Sequence, residues 1–406
     1  MDPQTIFHVL LALTVVVVIG RLLGTLLATI RQPAVIGEVI AGILLGPSML
    51  GQIAPSVYTF ILPSSILRPL NVVAQLGVVL YLFLVGVDLN ADRVRAHARV
   101  SIAVSQASIL MPFVLGSILA LYLYPRVSSS AVPFTTFTLF MGVAMSITAF
   151  PVLSRILSDR GMTDSELGAI ALTCAAVDDV TAWCLLAFIV GIAQDRPESA
   201  TTVALLTVGF IAVMMVLVRP LVVRLARRGG DRPGYATVGV ALAGLALAAL
   251  TTEWIGIHAL FGAFAFGAVI PHDSGLARTL VARLKAPVTI CLLPAFFALA
   301  GIRTRIGLIS GASAWLTCGL ITLVATVGKF GGAFIAGRLT GLSAPNAVAL
   351  GVLMNTRGLM ELIVLNVGFD LGVISPTLFT MMVLMALATT FATTPVLDSL
   401  ARARSA

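Results

Sequence analysis

The sequence predicts an all-α integral membrane protein with about thirteen membrane-spanning helices. Hydrophobic residues make up 59% of the chain and charged residues only 10%, whereas soluble domains carry about 25% charged residues. The apolar residues also gather into segments of roughly the length that a helix needs to cross a bilayer. Composition and segment length therefore agree on the fold class.

These apolar segments define the predicted spans. They are 9–28, 35–50, 72–87, 101–123, 135–157, 167–192, 202–221, 236–251, 258–270, 290–300, 314–336, 347–367 and 377–397. Several are short or interrupted by glycine and proline. All four cysteines, Cys174, Cys184, Cys291 and Cys318, lie within predicted spans, and we expect them to be free, buried thiols.

The net charge of +8 reflects membrane topology and not a nucleic-acid-binding surface, because the basic residues concentrate in alternate loops. One set of loops holds Arg31, Arg93, Arg95, Arg99, Arg155, Arg160, Arg224, Arg227, Arg228, Arg232, Arg278, Arg283, Lys285, Arg338, Arg402 and Arg404, and the other only Arg68, Arg126, Arg196, Arg303 and Arg305. This bias places the C-terminus in the cytoplasm and the N-terminus outside a plasma or inner membrane.

The two halves of the chain resemble each other weakly. The segment 81–88 has a counterpart at 296–303, and the small-residue segment 42–47 has one at 262–271. We interpret the chain as a single transmembrane transporter domain with a first inverted repeat (1–193), a linking helix and basic loop (194–233) and a second inverted repeat (234–406). Inverted repeats with paired broken helices are typical of secondary transporters. We expect no cytoplasmic nucleotide-binding domain.

Two adjacent acids are the most informative polar residues. Asp178 and Asp179 lie in the apolar segment 167–192, where insertion of each acid costs about 2.5–3.5 kcal/mol. Successive helical residues point about 100° apart, so one acid can face a water-filled cavity while the other faces a protein partner. An ion or proton site is the favoured interpretation, and structural acids neutralised by other helices are the alternative.

Lys329 lies in the middle of another predicted span, with no acid nearby in its own segment. We expect it to pair with Asp178 or Asp179, since pairing reduces the cost of burying both charges. The alternative is a lysine whose ammonium reaches the membrane interface.

Two spans carry helix-breaking signals. Pro151 should open its helix, leaving backbone carbonyls and the hydroxyls of Ser146 and Thr148 as oxygen ligands for a monovalent cation held by Asp179. In the second broken span, 355–358, Arg357 precedes Glu361 by four residues. These two side chains can neutralise each other on one helix face, and we interpret them as a pair that braces the broken helix.

Five motifs resemble those of the second branch of the monovalent cation:proton antiporter superfamily, including plant and fungal cation/proton exchangers and bacterial NapA-type or Kef-type antiporters. They are QPAVIGEVIAGILLGP at 32–47, TAFPVLSRIL at 148–157, AAVDDVTAW at 175–183, PAFFALAG at 294–301 and MNTRGLMEL at 354–362. The resemblance covers nearly the whole chain.

The resemblance implies a sodium/proton antiporter-like fold, in which a dimerisation domain accompanies a core domain with two crossed broken helices. It implies that Asp179, the second acid, binds the cation and the proton alternately. In electrogenic members the first acid, here Asp178, meets a lysine, here Lys329. It also implies a homodimer in the lipid bilayer, with no cofactor beyond the transported H⁺ and Na⁺ or K⁺.

We therefore expect a secondary antiporter that exchanges Na⁺ or K⁺ for protons, with Asp179 and Thr148 as cation ligands; the sequence leaves the choice of cation open. A channel-like K⁺ efflux pathway of the same fold is the main alternative. A sensory or structural protein and an organic-anion symporter are further alternatives, although an acidic pair favours a cation. An enzyme is not expected, because the spans lack an HExxH motif, a GxGD-like dyad and a Ser–His arrangement.

Overall fold

The computed structural model describes residues 3–88, 98–128, 132–162, 165–193 and 197–405, and these residues form helices and connecting turns with no β-strand among them. The α-helices are α1 (Pro3–Thr29), α2 (Ala34–Leu45), α3 (Leu50–Ile53), α4 (Pro55–Ile61), α5 (Leu67–Asp88), α6 (Ala98–Val127), α7 (Phe134–Ser146), α8 (Phe150–Asp159), α9 (Glu166–Ala193), α10 (Pro197–Val213), α11 (Arg219–Gly229), α12 (Tyr235–Ile255), α13 (Ala259–Ala268), α14 (Gly275–Pro287), α15 (Leu293–Arg303), α16 (Gly311–Leu339), α17 (Ala344–Met354), α18 (Leu359–Asp370) and α19 (Pro376–Ser405). Two π-helical turns, Met214–Val218 and Val288–Leu292, join α10 to α11 and α14 to α15.

The predicted fold class is confirmed. Within the described residues, ten helical stretches are long and apolar enough to cross a membrane. Three shorter apolar helices, α7, α13 and α17, accompany them. The shorter helices correspond to the predicted spans that glycine or proline interrupts, so these interruptions account for their length.

The chain divides into two compact units. Unit 1 consists of Met1–Val17, Ile61–Ala91 and Leu186–Leu299. Unit 2 consists of Val18–Phe60, Asp92–Leu185 and Ala300–Ala406. Both are assembled from distant parts of the sequence, so local periodicity alone does not predict their composition.

Within unit 1, α5 crosses α13 where two glycines meet. A Cβ atom on Gly86 would contact the backbone of Phe264, Gly267 and Ala268, and one on Gly267 would contact the backbone of Phe83, Val87 and Gly86. Beside this crossing, the rings of Phe83 and Phe266 stack with their centroids 6.2 Å apart. Small residues let the two backbones approach, which is how helices gain packing contacts in an apolar solvent.

Within unit 2, α2 crosses the end of α15, from Ala300 onward, in the same manner. A Cβ atom on Gly301 would contact the backbone of Val39, Gly42 and Ile43. The two glycine crossings thus use the four segments that the sequence pairs as repeats: 81–88 packs against 262–271, and 296–303 packs against 42–47. The division into inverted repeats stays a prediction.

Two broken helices meet in unit 2. The first consists of α7 and α8 and breaks at residues 147–149; the second consists of α17 and α18 and breaks at residues 355–358. The Ala149 amide donates a hydrogen bond to the Thr356 carbonyl over 3.0 Å. Pro151 occupies the first turn of α8, where the N–H that proline lacks would have no intrahelical acceptor. Both breaks lie where the sequence predicts them.

The cysteines are free, as predicted. Their predicted burial holds for Cys174 and Cys318 but is wrong for Cys184 and Cys291, which are exposed on their helices. The reason is that an apolar membrane segment has faces that pack against other helices and faces that meet lipid. A thiol is tolerated on either.

Replacing Gly301 with alanine should destabilise the protein by about 1–3 kcal/mol, because the new methyl group would press on the α2 backbone, which cannot move aside as a flexible side chain can. Thermal unfolding in detergent measures the effect. Gly319→Ala is the matched control: Gly319 lies inside α16 with no atom within 4 Å of an added Cβ, so its replacement should be neutral or slightly stabilising. Equal melting temperatures for the two variants would refute the close crossing.

Candidate ion-binding site

The acid pair lies in the middle of α9, within unit 2, and both side chains are buried. The exposed fraction is 0% for Asp178 and 3% for Asp179. Because consecutive helical residues point in different directions, the two carboxyl groups meet different surroundings. The two carboxyl groups therefore have different hydrogen-bond partners.

Asp178 is surrounded by hydrogen-bond donors. Its Oδ1 accepts a hydrogen bond from the Ser105 hydroxyl over 2.5 Å. Its Oδ2 accepts hydrogen bonds from the Ser108 hydroxyl at 3.2 Å and the Thr148 hydroxyl at 2.7 Å. The Lys329 ammonium lies 2.7 Å from the same Oδ2. Four donors thus satisfy a carboxylate that hydrocarbon alone would not tolerate.

The serines that contact Asp178 belong to a polar stripe on α6. Ser101, Ser105 and Ser108 follow one another at helical spacing and are all fully buried, so they share one face of the helix. That face lies against α9, where Cys174 precedes Asp178 by one turn. The Cys174 thiol donates a weak hydrogen bond to the Ser101 carbonyl over 3.4 Å. Helical periodicity on both partners therefore aligns the serines with the acid.

Lys329 is fully buried in α16, so its ammonium does not reach the membrane interface. Besides Asp178, it donates a hydrogen bond to the Ser146 carbonyl over 2.5 Å. That carbonyl belongs to the last residue of α7, where the helix break leaves it without an intrahelical partner. The negative end of the α7 dipole and the Asp178 carboxylate thus attract the same cation.

A second buried cation binds the same helix end. The Arg357 guanidinium donates hydrogen bonds to the carbonyls of Ala144 and Met145 at 3.2 and 2.7 Å, and its Nη1 lies 2.8 Å from Glu361. Both side chains of this ion pair are fully buried. Arg357 itself lies in the second break, so it links the end of α7 to the start of α18.

Asp179 differs from its neighbour. Its Oδ1 is buried and accepts no hydrogen bond from any residue that the structure describes. A buried carboxyl oxygen without a donor is costly if it is charged. Asp179 therefore has a buried oxygen that no described donor satisfies, whereas Asp178 has an ion-pair partner in Lys329.

The hydroxyls expected beside Asp179 lie elsewhere. Thr148 donates to Asp178 and also lies 3.1 Å from the Met354 carbonyl. The Ser146 hydroxyl points to main-chain oxygens, 2.7 Å from Gly142 and 2.9 Å from Ile109. The carbonyls at the end of α7 accept from Lys329 and Arg357. The sequence indicates a break but not these partners, because they come from α16 and α17–α18.

Sequence reasoning missed Ser105 and Ser108. Their helical spacing in an apolar segment was the available signal, but serines are common in membrane helices and often bond to their own backbone. Only the packing of α6 on α9 distinguishes them. No group of three or more histidine, cysteine or acidic residues suited to a resident metal ion occurs in the described part of the chain.

Glu361→Gln should destabilise the protein by about 3–5 kcal/mol, because it leaves the buried Arg357 guanidinium without its counter-charge. Thermal unfolding in detergent measures this. Asp370→Asn is a matched control on the same helix: Asp370 pairs with Arg303 at 3.0 Å but is 44% exposed, so its loss should cost no more than about 1 kcal/mol. Similar losses of stability in both variants would contradict a larger contribution from the buried ion pair.

Comparison with known proteins places these features in a family. A family model described as sodium/hydrogen exchanger, transmembrane, matches residues 9–401. The Na⁺/H⁺ antiporter NhaS4 of Synechocystis is 41% identical over 399 residues, covering 97% of both chains.

Longer eukaryotic proteins are also similar. Cation/H⁺ antiporter 17 of Arabidopsis thaliana is 39% identical over 95% of this chain and 47% of its own length. K⁺/H⁺ antiporter 1 of Saccharomyces cerevisiae is 31% identical over 97% of this chain and 46% of its own length. The chain therefore spans about half the length of these plant and yeast relatives.

The fold has a solved counterpart. The sodium proton antiporter MjNhaP1 of Methanocaldococcus jannaschii superimposes with a TM-score of 0.65 over 98% of this chain and 97% of the other, at 14% sequence identity. At that identity the likeness establishes the fold alone. Together with the family match across residues 9–401, it leads to one conclusion: the chain belongs to the transmembrane sodium/hydrogen exchanger family.

Proposed function

We propose that this multi-pass membrane protein is a secondary antiporter that exchanges Na⁺ or K⁺ for protons, and that Asp179 is the shared binding residue. The observation that carries the proposal is the unequal environment of the acid pair. Asp178 is held by four donors, while the buried Oδ1 of Asp179 has none among the described residues. The antiporter names of the Synechocystis and yeast relatives support the reaction class.

The coupling follows from competition. A single carboxyl group cannot hold a proton and a bound alkali cation at once, and burial in an apolar site penalises the bare anion that carries neither. Asp179 therefore moves between the two membrane faces with either a proton or a cation bound. A cation moving one way obliges a proton to move the other way.

Asp178 supplies the fixed charge in this scheme. Its ion pair with Lys329 keeps it neutralised without a transported ion, and the hydroxyls of Ser105, Ser108 and Thr148 orient it. Because Lys329 also holds the end of α7, we propose that the ion pair fixes the first break beside α9. Arg357 and Glu361 brace the second break in the same way.

The cation ligands other than Asp179 come from oxygen atoms near the first break. We keep Thr148 and Ser146 as proposed ligands, each of which has to rotate from its present hydrogen bonds to reach a cation. Alternating access then moves the site between the two membrane faces, and the loop charges place the C-terminus in the cytoplasm. A homodimer and a role in pH homeostasis are parts of the same proposal.

Asp179→Asn should abolish cation-dependent proton movement, because an amide neither takes up a proton near neutral pH nor supplies a negative charge to a cation. Fluorescence quenching of a pH-sensitive dye in proteoliposomes measures it with Na⁺ and with K⁺. Glu166→Gln is the control, since Glu166 is an exposed acid in the first turn of the same helix, and it should retain exchange.

Two outcomes would refute this assignment. Undiminished exchange by Asp179→Asn would exclude Asp179 as the binding residue. In the wild type, competition requires the apparent KM for the cation to rise as pH falls, by up to about tenfold per pH unit where the carboxyl takes up its proton. A KM independent of pH would exclude competition at one carboxyl.

The double substitution Ser105→Ala with Ser108→Ala should destabilise the protein by at least about 1.5–3 kcal/mol, because a hydrogen bond to a charged group is worth about that much. The buried Asp178 carboxylate loses two of its donors. Thermal unfolding in detergent measures the loss.

Ser101→Ala is the matched control for the serine pair. Ser101 lies one turn away on the same buried face of α6, and its hydroxyl has no hydrogen-bond partner among the described residues. Its removal should leave the melting temperature nearly unchanged. An unchanged melting temperature in the double variant would show that the serines only fill space.

A further inference from the structure

Unit 1 carries a concentration of arginines at the end of α11 that takes no part in the site described above. Arg224, Arg227 and Arg228 lie on the last turns of this helix, and Arg232 follows it. All four are exposed. None has a carboxylate within salt-bridge distance in the part of the chain that the structure describes.

The packing of α14 extends this basic surface. Gly275, the first residue of α14, lies so close to Gly230 and Asp231 that a Cβ atom there would contact their backbone. Two acids lie here: Arg278 binds Asp231 at 2.8 Å, and the Asp273 carboxylate lies 2.9 Å from His272. Among the described residues, neither acid forms a salt bridge with an arginine of α11.

A fifth arginine lies over an exposed aromatic ring. The Arg283 guanidinium of α14 is 4.7 Å from the centroid of the Tyr235 ring, and Tyr235 is 84% exposed. Tyr235 opens the span Tyr235–Ile255, and Trp254, which is 79% exposed, lies near its other end. Exposed Tyr and Trp at the two ends of a span mark the levels of the membrane interfaces. We call Arg224, Arg227, Arg228, Arg232 and Arg283 the basic patch.

The surface next to the basic patch is apolar. Val216, Leu217 and Leu221, about two to three turns before Arg228, are 77%, 58% and 52% exposed. Within the span Leu205–Gly229, only 17% of the apolar 18-residue window is buried in the protein. This helical stretch therefore presents exposed apolar side chains along its length and exposed positive charges at its end.

We propose that the basic patch binds the headgroup of an anionic phospholipid whose acyl chains lie along the apolar face of α10 and α11. The combination identifies this ligand. A free phosphate would use the charges but not the apolar surface, and an acidic soluble protein would not lie along a face that belongs in hydrocarbon. Arginine suits phosphate because its planar guanidinium donates two parallel hydrogen bonds. Basic clusters next to membrane helices bind anionic lipids by this mechanism.

Orientation of the chain by positive charge is the competing explanation for the same arginines. It requires only that the charges lie on one side of the membrane, so it predicts no saturable binding and no preference among anionic species. Saturable, headgroup-dependent binding therefore separates the two. The test needs no transport measurement, so it succeeds or fails independently of the proposed exchange reaction.

The experiment titrates phosphatidylglycerol into the purified full chain in detergent and follows lipid binding by native mass spectrometry and the melting temperature. We expect saturable binding and stabilisation by phosphatidylglycerol but not by phosphatidylcholine, both weakened by added salt. The triple variant Arg224→Gln, Arg227→Gln, Arg228→Gln should bind phosphatidylglycerol roughly a hundredfold more weakly, since each arginine contributes a factor of roughly five.

Matched variants keep the outcome decisive. The corresponding triple lysine variant retains the charge and should retain most of the binding, which also shows that the helix end folds without arginine. Arg126→Gln removes an exposed arginine that stacks over Tyr122 outside the basic patch and should bind as the wild type does. Undiminished binding by the glutamine variant, an equal loss in Arg126→Gln, or equal stabilisation by inorganic phosphate or polyglutamate would each overturn the proposal.

Discussion

The ion pair between Asp178 and Lys329 is the interaction on which the centre of unit 2 depends. Both side chains are fully buried, and neither charge would be tolerated alone in an apolar interior. Their neutralisation draws together four segments: α9 carries the acid, α16 the lysine, α6 two serines and the first break Thr148. A requirement of electrostatics thus determines how helices distant in sequence pack.

The broken helices follow from the same requirement. A helix that ends inside the membrane leaves carbonyl oxygens without partners and concentrates negative dipole charge at its end. At the end of α7, Lys329 binds the Ser146 carbonyl and Arg357 binds those of Ala144 and Met145. Two buried cations, each with its own carboxylate, therefore stabilise one interrupted helix. Protein groups therefore bind the carbonyls at this break.

Asp179 is the exception to this pattern of neutralised charges. Its neighbour on α9 has four donors, while its own buried Oδ1 has no donor among the described residues. Because the two residues are adjacent, the difference arises entirely from the direction in which each side chain leaves the helix. We propose the unsatisfied acid, Asp179, for exchange and the satisfied acid, Asp178, as the one that holds the site.

The sequence by itself determined the membrane class, most of the span positions, both helix breaks and the acid pair. Each of these depends on local chemistry: the cost of polar groups in hydrocarbon, the missing N–H of proline and the 100° step between helical residues. The choice of Asp178 over Asp179 as partner of Lys329, the contribution of Ser105 and Ser108, and the occupation of the α7 carbonyls were decided only by the tertiary structure. They depend on how α6, α16 and α17–α18 are rotated and placed against α9, and that arrangement results from many long-range contacts that no single segment encodes.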